Sequence, residues 1–409
     1  MRILNVTQTY FPFLEFGGPP VKVRSLSQQL AKLGHHVTVL TADWGLKSRA
    51  AAAAAAVESG GERSALGWQL EESGIEAIYL PTWLHYRALS WNPGIARFCR
   101  TRLWNFDVVH IFGLYDFLGP AVAAACRRSG IPYVVEPIGM FMPIVRNFLL
   151  KRMYHLALGQ RMLRGSRKVI ATSPQEVAEL ASSGLPAEKI LVRRNGVEVP
   201  ETLPDRGKFR ASAGIPENAK VILYLGRLSE KKSPDVLLQA FALLCKAKSD
   251  AELRLVFAGP DDDGMKEKLL RMAGELGVSS SVQIRGAAYG EQKWNAYTDA
   301  DVFVLPSQSE NFGNTAGEAV AAGTPVVVTD KCGVAPLLAD VAGLVVAHDA
   351  AAMAQALARV LWEPGLHARL TAGCRKVAAR LDWDEPAQEM ENLYEQLVKD
   401  EKQTAELLH

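Results

Sequence analysis

Two carboxylates, Glu310 and Glu318, sit in a stretch built for close approach, Asp301–Asp330, DVFVLPSQSENFGNTAGEAVAAGTPVVVTD. The stretch reads strand, loop, short helix, strand, with Glu310 in the loop and Glu318 in the first turn of the helix. Gly313, Ala316 and Gly317 are small, so a ligand can reach the backbone. The N–H groups around Asn311–Thr315 are those a helix start leaves without intrahelical partners, and they can face an anion or hydroxyl groups. A carboxylate repels a phosphate but accepts hydrogen bonds from hydroxyls, such as those of a ribose, without conflict. Two alternatives stand beside that reading. Thr315-Ala316-Gly317-Glu318 also spells a capping box, with Glu318 reaching back to the Thr315 N–H, and Glu310 could be a solvated loop residue. Cations that could hold a phosphate follow another strand, in Leu223–Phe241, LYLGRLSEKKSPDVLLQAF. That strand ends at Gly226 and is followed by Arg227 and Lys232. Basic residues beyond the carboxyl end of a parallel strand point toward the crevice where ligands bind. Arg grips two phosphate oxygens at once and Lys adds a mobile point charge; the bland alternative is solvated surface charge.

Several further residues could carry chemistry. Gly17-Gly18 precede a helix whose N-terminus could meet a phosphate, and Pro19-Pro20 is compatible with that helix start. His110 ends the buried strand of DVVHIFGLYD, and Glu136 ends the next, in IPYVVEPIGMF. A lone strand histidine is more often a satisfied structural residue. Asp261-Asp262-Asp263 lies between a strand and a helix and reads as helix capping rather than a metal site. No G-x-G-x-x-G follows a strand, and Gly259-Pro-Asp-Asp-Asp-Gly264-Met-Lys lacks the Gly-Lys-Ser/Thr end of a P-loop. Cys99, Cys126, Cys245, Cys332 and Cys374 show no C-x-x-C, which argues for reduced thiols in a cytosol over disulfides or zinc. No metal is expected.

These residues must be positioned by a fold, and the pattern that carries them is regular. Short apolar runs alternate with helical stretches throughout: RILNV, HVTVL, DVVHI, PYVVE, KVIAT and KILVR, then VILYLG, LRLVFAG, SVQIRG, DVFVLP, TPVVVTD and AGLVVA. Such alternation predicts α/β architecture with parallel sheets covered on both faces. Two series in 409 residues predict two doubly wound, Rossmann-like domains. The boundary is expected near residue 200, in NGVEVPETLPDRGKF, giving domains 1–200 and 201–385 and a final helix at about 386–409 with no strand of its own to cover. Residues 1–200 hold 23 Lys+Arg against 14 Asp+Glu, and the remainder 23 against 30. A basic first half and an acidic second half predict domains with different partners. The run Ala50–Ala56 has nothing to donate, accept or titrate. The N-terminus reads as a strand rather than a signal peptide, and no apolar run spans a membrane.

Taken together, Glu310-x7-Glu318 within P-S-x-S-E-N-F-G…E-A-x-A-x-G-T-P-V-V resembles the signature of retaining GT-B glycosyltransferases, the "glycosyl transferases group 1". The resemblance runs over nearly the whole chain. It implies two Rossmann-like domains facing a central cleft, with the last helix returning to the first domain. It implies that Glu310 lies against a donor sugar, that Glu318 binds the nucleotide ribose, and that Asn311, Phe312, Gly313, Asn314 and Thr315 line the same nucleotide-sugar site. Gly226-Arg227-x4-Lys232 is similar to the family's G-R-x-x-x-x-K-G, whose Arg and Lys hold the diphosphate. Ser233 stands where that motif has glycine, and Lys231 is the neighbouring alternative cation. The family's glycine loop matches Gly17 and Gly18. Its cleft histidine, which contacts the donor sugar, matches His110. Glu136 falls on the acceptor side, Arg193–Val199 resembles the interdomain hinge, and Arg285 and Gly286 fall where the base is held.

The activity implied is transfer of a sugar from a UDP- or GDP-sugar to a hydroxyl acceptor, with retention, in synthesis of cell-surface polysaccharide or glycolipid. No cofactor or metal is implied. Arg227 and Lys232 would steady the leaving diphosphate, and nucleic acid is not an expected partner. Two other readings are a nucleotide-sugar 2-epimerase on a similar fold and a non-catalytic sugar-nucleotide binding protein. Arg146–Lys168 holds seven Lys+Arg and no acidic residue. Such a basic amphipathic stretch suits an anionic membrane and a lipid-linked acceptor at the inner face of the plasma membrane; an ordinary domain helix is the alternative.

Overall fold

A computed structural model describes residues 1–13, 18–43, 60–86, 89–139, 154, 158–261 and 264–407. The chain forms two compact units, one made of residues 1–195 with 383–409 and the other of residues 196–382. Ala50–Ala56, and residues 146–153 and 155–157 of the basic stretch, lie outside the described residues. Among those described, no helix is long and apolar enough to cross a membrane.

The first unit is a nine-stranded sheet in the order β11-β10-β9-β8-β1-β2-β5-β4-β3. Its strands are β1 Arg2–Val6, β2 His36–Ala42, β3 Glu62–Ser64, β4 Gly67–Glu72, β5 Ile75–Leu80, β8 Val108–Phe112, β9 Tyr133–Glu136, β10 Lys168–Ala171 and β11 Ile190–Val192; β6 Leu84–Tyr86 and β7 Leu89–Trp91 form a separate hairpin. The central strands pair in parallel. Side chains alternate between two cores: Leu4, Val6 and Leu40 enter one, while Ile3, Val37 and Val39 enter the other. Both faces are buried, which is why the central strands read as continuous apolar runs. Strands β3 and β4 and the β6–β7 hairpin carry none of that signal. Strand β4 is mostly half-buried, and β3 and β4 pair antiparallel at the sheet's edge.

The last helix, Asp384–Leu407, belongs to this unit. Ala387, Met390, Tyr394 and Leu397 recur at three- and four-residue spacing and enter the core that holds Ile3, Val23 and Val39. The helix lies against Gly18–Lys32, the helix that follows β1.

The second unit is a six-stranded sheet in the order β14-β13-β12-β15-β16-β17, all parallel. Its strands are β12 Lys220–Leu225, β13 Leu253–Ala258, β14 Val282–Arg285, β15 Val302–Leu305, β16 Val326–Thr329 and β17 Gly343–Val346. Val221, Leu223 and Leu225 enter one core, and Ile222 and Tyr224 the other. Helices Pro234–Ala247 and Ala350–Trp362 pack together on the second of these faces. From β12 the chain winds outward through β13 and β14, then returns to β15 and winds the other way. The sheet therefore has its topological switch point between β12 and β15, where open α/β sheets bind ligands.

Candidate functional site

The switch point of the second unit is where the predicted cations and the first predicted carboxylate converge. Strand β12 runs into Gly226, Arg227 and the short turn Glu230–Lys232. The backbone here is held from β13: Gly226 donates to Ala258 O at 2.9 Å and Leu228 to Pro260 O at 2.9 Å. A Cβ at Gly259 would lie 1.8 Å from Gly226 O, so only glycine permits this approach. The Tyr224 hydroxyl, at the end of β12, donates to Arg227 O at 2.6 Å. Arg227 itself is exposed. Lys232 forms an ion pair with Glu310, both partly buried. Glu310 follows β15, and its backbone is pinned by Glu310 N to Lys331 O and Gly333 N to Glu310 O, each at 3.0 Å. The structure thus brings Lys232, not Lys231, against Glu310, from the two strands that flank the switch point.

The helix bearing Glu318 spans Asn314–Ala321 and is capped by Gly313, in the left-handed region at φ 106°. A Cβ at Gly313 would press to 3.1 Å on both Leu305 and Val334. Because Gly313 is the cap, Thr315 already lies inside the first turn, and the capping box does not form. Glu318 turns instead to the helix Gly290–Asp299, accepting from Lys293 Nζ and from the Tyr297 hydroxyl, each at 2.8 Å. Burial, reinforced by Glu318, raises the Tyr297 hydroxyl well above its ordinary pKa, so it stays a donor. Asn311, Asn314 and Thr315 are partly exposed beside the buried Phe312, whose carbonyl accepts from Val334 N at 2.7 Å. The neighbouring Cys332 thiol, pushed up to about 11 mainly by burial, is not poised as a nucleophile.

Arg285 and Gly286 line a separate hollow of about 380 Å³ with Lys208, Phe209, Ser212 and Asn295. The Arg285 guanidinium stands 5.6 Å above the Phe209 ring. The hollow lies at the carboxyl end of β14, has one aromatic face, and is rimmed by amide, hydroxyl and basic groups. Asp261 behaves as a helix cap, accepting from Met265 N at 2.8 Å and Lys266 N at 3.2 Å; Asp262 and Asp263 lie outside the described residues. Among the described residues no group of three or more His, Cys, Asp or Glu is arranged to hold a metal.

The first unit treats its predicted residues differently. Gly17 lies outside the described residues, and Gly18 is exposed at the first position of its helix. His110 and Glu136 are fully enclosed. Glu136, expected on the acceptor side, is the centre of a buried ionic cluster. It accepts from Arg193 Nη2 at 2.9 and 2.8 Å, pairs with Lys22, and faces His110 Nε2 at 3.4 Å. Burial alone would raise its pKa; the Arg193 and Lys22 charges outweigh burial and hold the carboxyl well below its usual range. Burial pulls Lys22 down to about 8 against the pull of Glu136. It also lowers His110 to about 4, so the imidazole is neutral at pH 7. The remaining ring nitrogen, Nδ1, meets the Tyr394 hydroxyl at 2.6 Å. His110 therefore ties the last helix to the sheet and presents no surface to a ligand. The two cations that occupy Glu136 were not visible in the sequence, because Lys22, Glu136 and Arg193 share no local motif.

The second unit matches the "Glycosyl transferases group 1" family over residues 205–377, and the first unit matches the "Glycosyl transferase 4-like domain" over residues 17–196. A D-inositol 3-phosphate glycosyltransferase of Frankia alni is 31% identical over 393 residues, covering 91% of this chain and 92% of the relative. The chain belongs to the group 1 glycosyltransferases. The same enzyme of Corynebacterium urealyticum is 30% identical over 400 residues, 93% of this chain and 91% of that one. Among solved structures, sucrose-phosphate synthase from Thermosynechococcus elongatus superposes with TM-score 0.72 at 20% identity, covering 98% of this chain and 99% of that one. Anabaena HepE in complex with UDP and glucose superposes with TM-score 0.74 at 18% identity, covering 97% and 100%. This glycosyltransferase has the GT-B fold, two parallel-sheet α/β domains.

Proposed function

We propose that this glycosyltransferase moves a sugar from a nucleoside-diphosphate sugar, UDP- or GDP-linked, to a hydroxyl acceptor, with retention of configuration. The observation that carries the reading is the Lys232–Glu310 pair at the switch point of the second unit, with Arg227 on the same loop after β12. Arg227 and Lys232 would hold the diphosphate and offset the charge that builds on it as the glycosidic bond breaks. Glu310, already beside Lys232, would meet the donor sugar's hydroxyls, and Glu318 the ribose, with Lys293 and Tyr297 fixing its carboxylate. The Arg285–Phe209 hollow suits a flat base. No nucleophile is assigned on the protein; the leaving phosphate would help deprotonate the acceptor on the same face, so catalysis rests on positioning and charge. The relatives are D-inositol 3-phosphate glycosyltransferases by name, and the complexes of HepE contain UDP. Both fit a nucleotide-sugar reaction with a polar acceptor.

The test is direct. Thermal-shift screening against UDP-, GDP- and ADP-sugars identifies the donor, since a bound ligand raises the melting temperature with its affinity. With that donor, Arg227→Ala and Lys232→Ala should each raise the barrier by about 2–4 kcal/mol. Near-normal turnover in both would remove the diphosphate assignment. NMR of the product gives the anomeric outcome, and full activity in EDTA is expected. A lipid-linked acceptor would suit the stretch Arg146–Lys168; flotation with anionic vesicles tests whether this enzyme lies on a membrane.

A further inference from the structure

Ser233 stands where the resembling motif has glycine, and the structure shows why glycine suits the place. Its backbone is left-handed, at φ 50° and ψ 47°. A residue with a Cβ adopts that region at a cost, and serine lacks the side-chain amide that eases Asn into it. Ser233 immediately follows Lys232 and links the turn Glu230–Lys232 to the helix Pro234–Ala247. Its side chain is buried and doubly engaged. The hydroxyl donates to Glu230 O at 3.2 Å, and His348 Nε2 lies 2.9 Å from the same oxygen. With the hydroxyl proton directed at Glu230, Nε2 is the donor to Ser233. His348 follows β17 and directly precedes Asp349, whose side chain caps the helix Ala350–Trp362. It is anchored on an element that packs against the helix after Ser233. From the other side, Gln308 holds the same turn, through its N–H to Lys231 O at 3.1 Å and its side-chain amide to Glu230 O at 2.8 Å.

We infer that His348 and Ser233 form a latch that holds the left-handed turn after Lys232 and so fixes Lys232 beside Glu310, making both positioning residues for the donor's diphosphate. The inference rests on the diphosphate reading of Lys232 given above. Glycine would hold this turn unaided; serine holds it because the imidazole of His348, beyond the end of the edge strand β17, grips its hydroxyl. The pair replaces backbone freedom with a side-chain bond between β12's loop and β17's.

The experiment is calorimetric titration of the full chain with UDP, GDP, UMP and GMP, together with turnover on the donor that binds. His348→Ala should weaken the preferred nucleoside diphosphate by about fivefold to tenfold, the size of one lost hydrogen bond. The matching monophosphate, which lacks the outer phosphate, should change less than about twofold on the same scale. His348→Gln, whose amide can donate from nearly the position of Nε2, should recover most of the loss. His348→Ala combined with Ser233→Gly should recover it as well, because glycine needs no grip. Equal weakening of mono- and diphosphate would mean His348 merely supports the fold, and the latch would be wrong. Unchanged affinity in His348→Ala, or a double variant no better than the single, would overturn it too. If the unaltered chain binds neither diphosphate, the donor-site reading itself fails, and the latch falls with it; that outcome is distinct from the others.

Discussion

Replacing Glu136 by glutamine keeps the shape of the side chain and removes its charge. In the first unit that carboxylate stands between Lys22 and Arg193, both fully enclosed, with no water-exposed route for either cation to relax. Breaking a buried ion pair by neutralising one partner costs about 3–5 kcal/mol, because the other charge stays buried and uncompensated. For a unit of this size each kcal/mol moves the melting temperature by about 2–4 °C. Glu136→Gln should therefore lower the first unit's calorimetric transition by roughly 6–20 °C. The second unit's transition should hardly move. Adding Lys22→Met, which removes one stranded cation, should return much of the loss. A single variant melting within about 2 °C of the parent would refute the reasoning. If it also raised the acceptor KM selectively, Glu136 would be the acceptor-side residue that the resemblance implied.

Four further outcomes can be checked. Gly259→Ala, which drives a methyl into Gly226 O, should cost the second unit about 1–3 kcal/mol and loosen donor binding, as thermal shift would show. Gly286→Ala, with nothing within 4 Å of the added carbon, should melt like the parent. Glu318→Ala should weaken nucleotide binding in calorimetry; unchanged affinity would leave Glu318 as a partner of Lys293 and Tyr297 only. The pH dependence of the first unit should combine two opposed burial effects. His110 is lowered from 6.5 to about 4, so the unfolded chain binds the extra proton in that window and stability falls as pH drops through it. Asp116 is raised from 3.8 to about 6, so the folded chain holds the extra proton there and stability rises as pH drops. Asp116→Asn removes the second effect and should steepen acid unfolding between about pH 6.5 and 4; an unchanged acid limb would refute the assignment.

What could be read from the sequence followed from locality. Strands buried on both faces, such as RILNV and VILYL, announce themselves because every residue is apolar. Arg227, Lys232 and Glu310 were legible because each follows such a strand directly, and the switch point then brings two of them together. The edge strands at 62–72 were not, since half-buried residues carry no continuous apolar signal. That Glu136 is enclosed was not legible for a related reason. Its carboxylate ends a buried strand, but what decides its role is Lys22 from one helix, Arg193 beyond β11, and His110 tied to Tyr394. Glu318 looked like a capping box because Thr315 is a good cap; Gly313 took the cap instead, and left Glu318 to pair with a helix some twenty residues earlier. Ser233 was visible as a departure from a motif, yet nothing local named His348 as its counterpart.

The first unit is stitched from both extremes of the chain, and this sets an order of events during synthesis. Residues 196–382 are contiguous and can finish their own interior once they emerge. The earlier-made portion cannot: Met390 and Tyr394, which fill its core, are translated only after the whole of the second unit. The half that is born first must therefore wait, its apolar groove unfilled, until residues 384–407 have also been made. A ribosome stalled before residue 383 would hold one completed unit and one unfinished one, in the reverse of the order in which they were made.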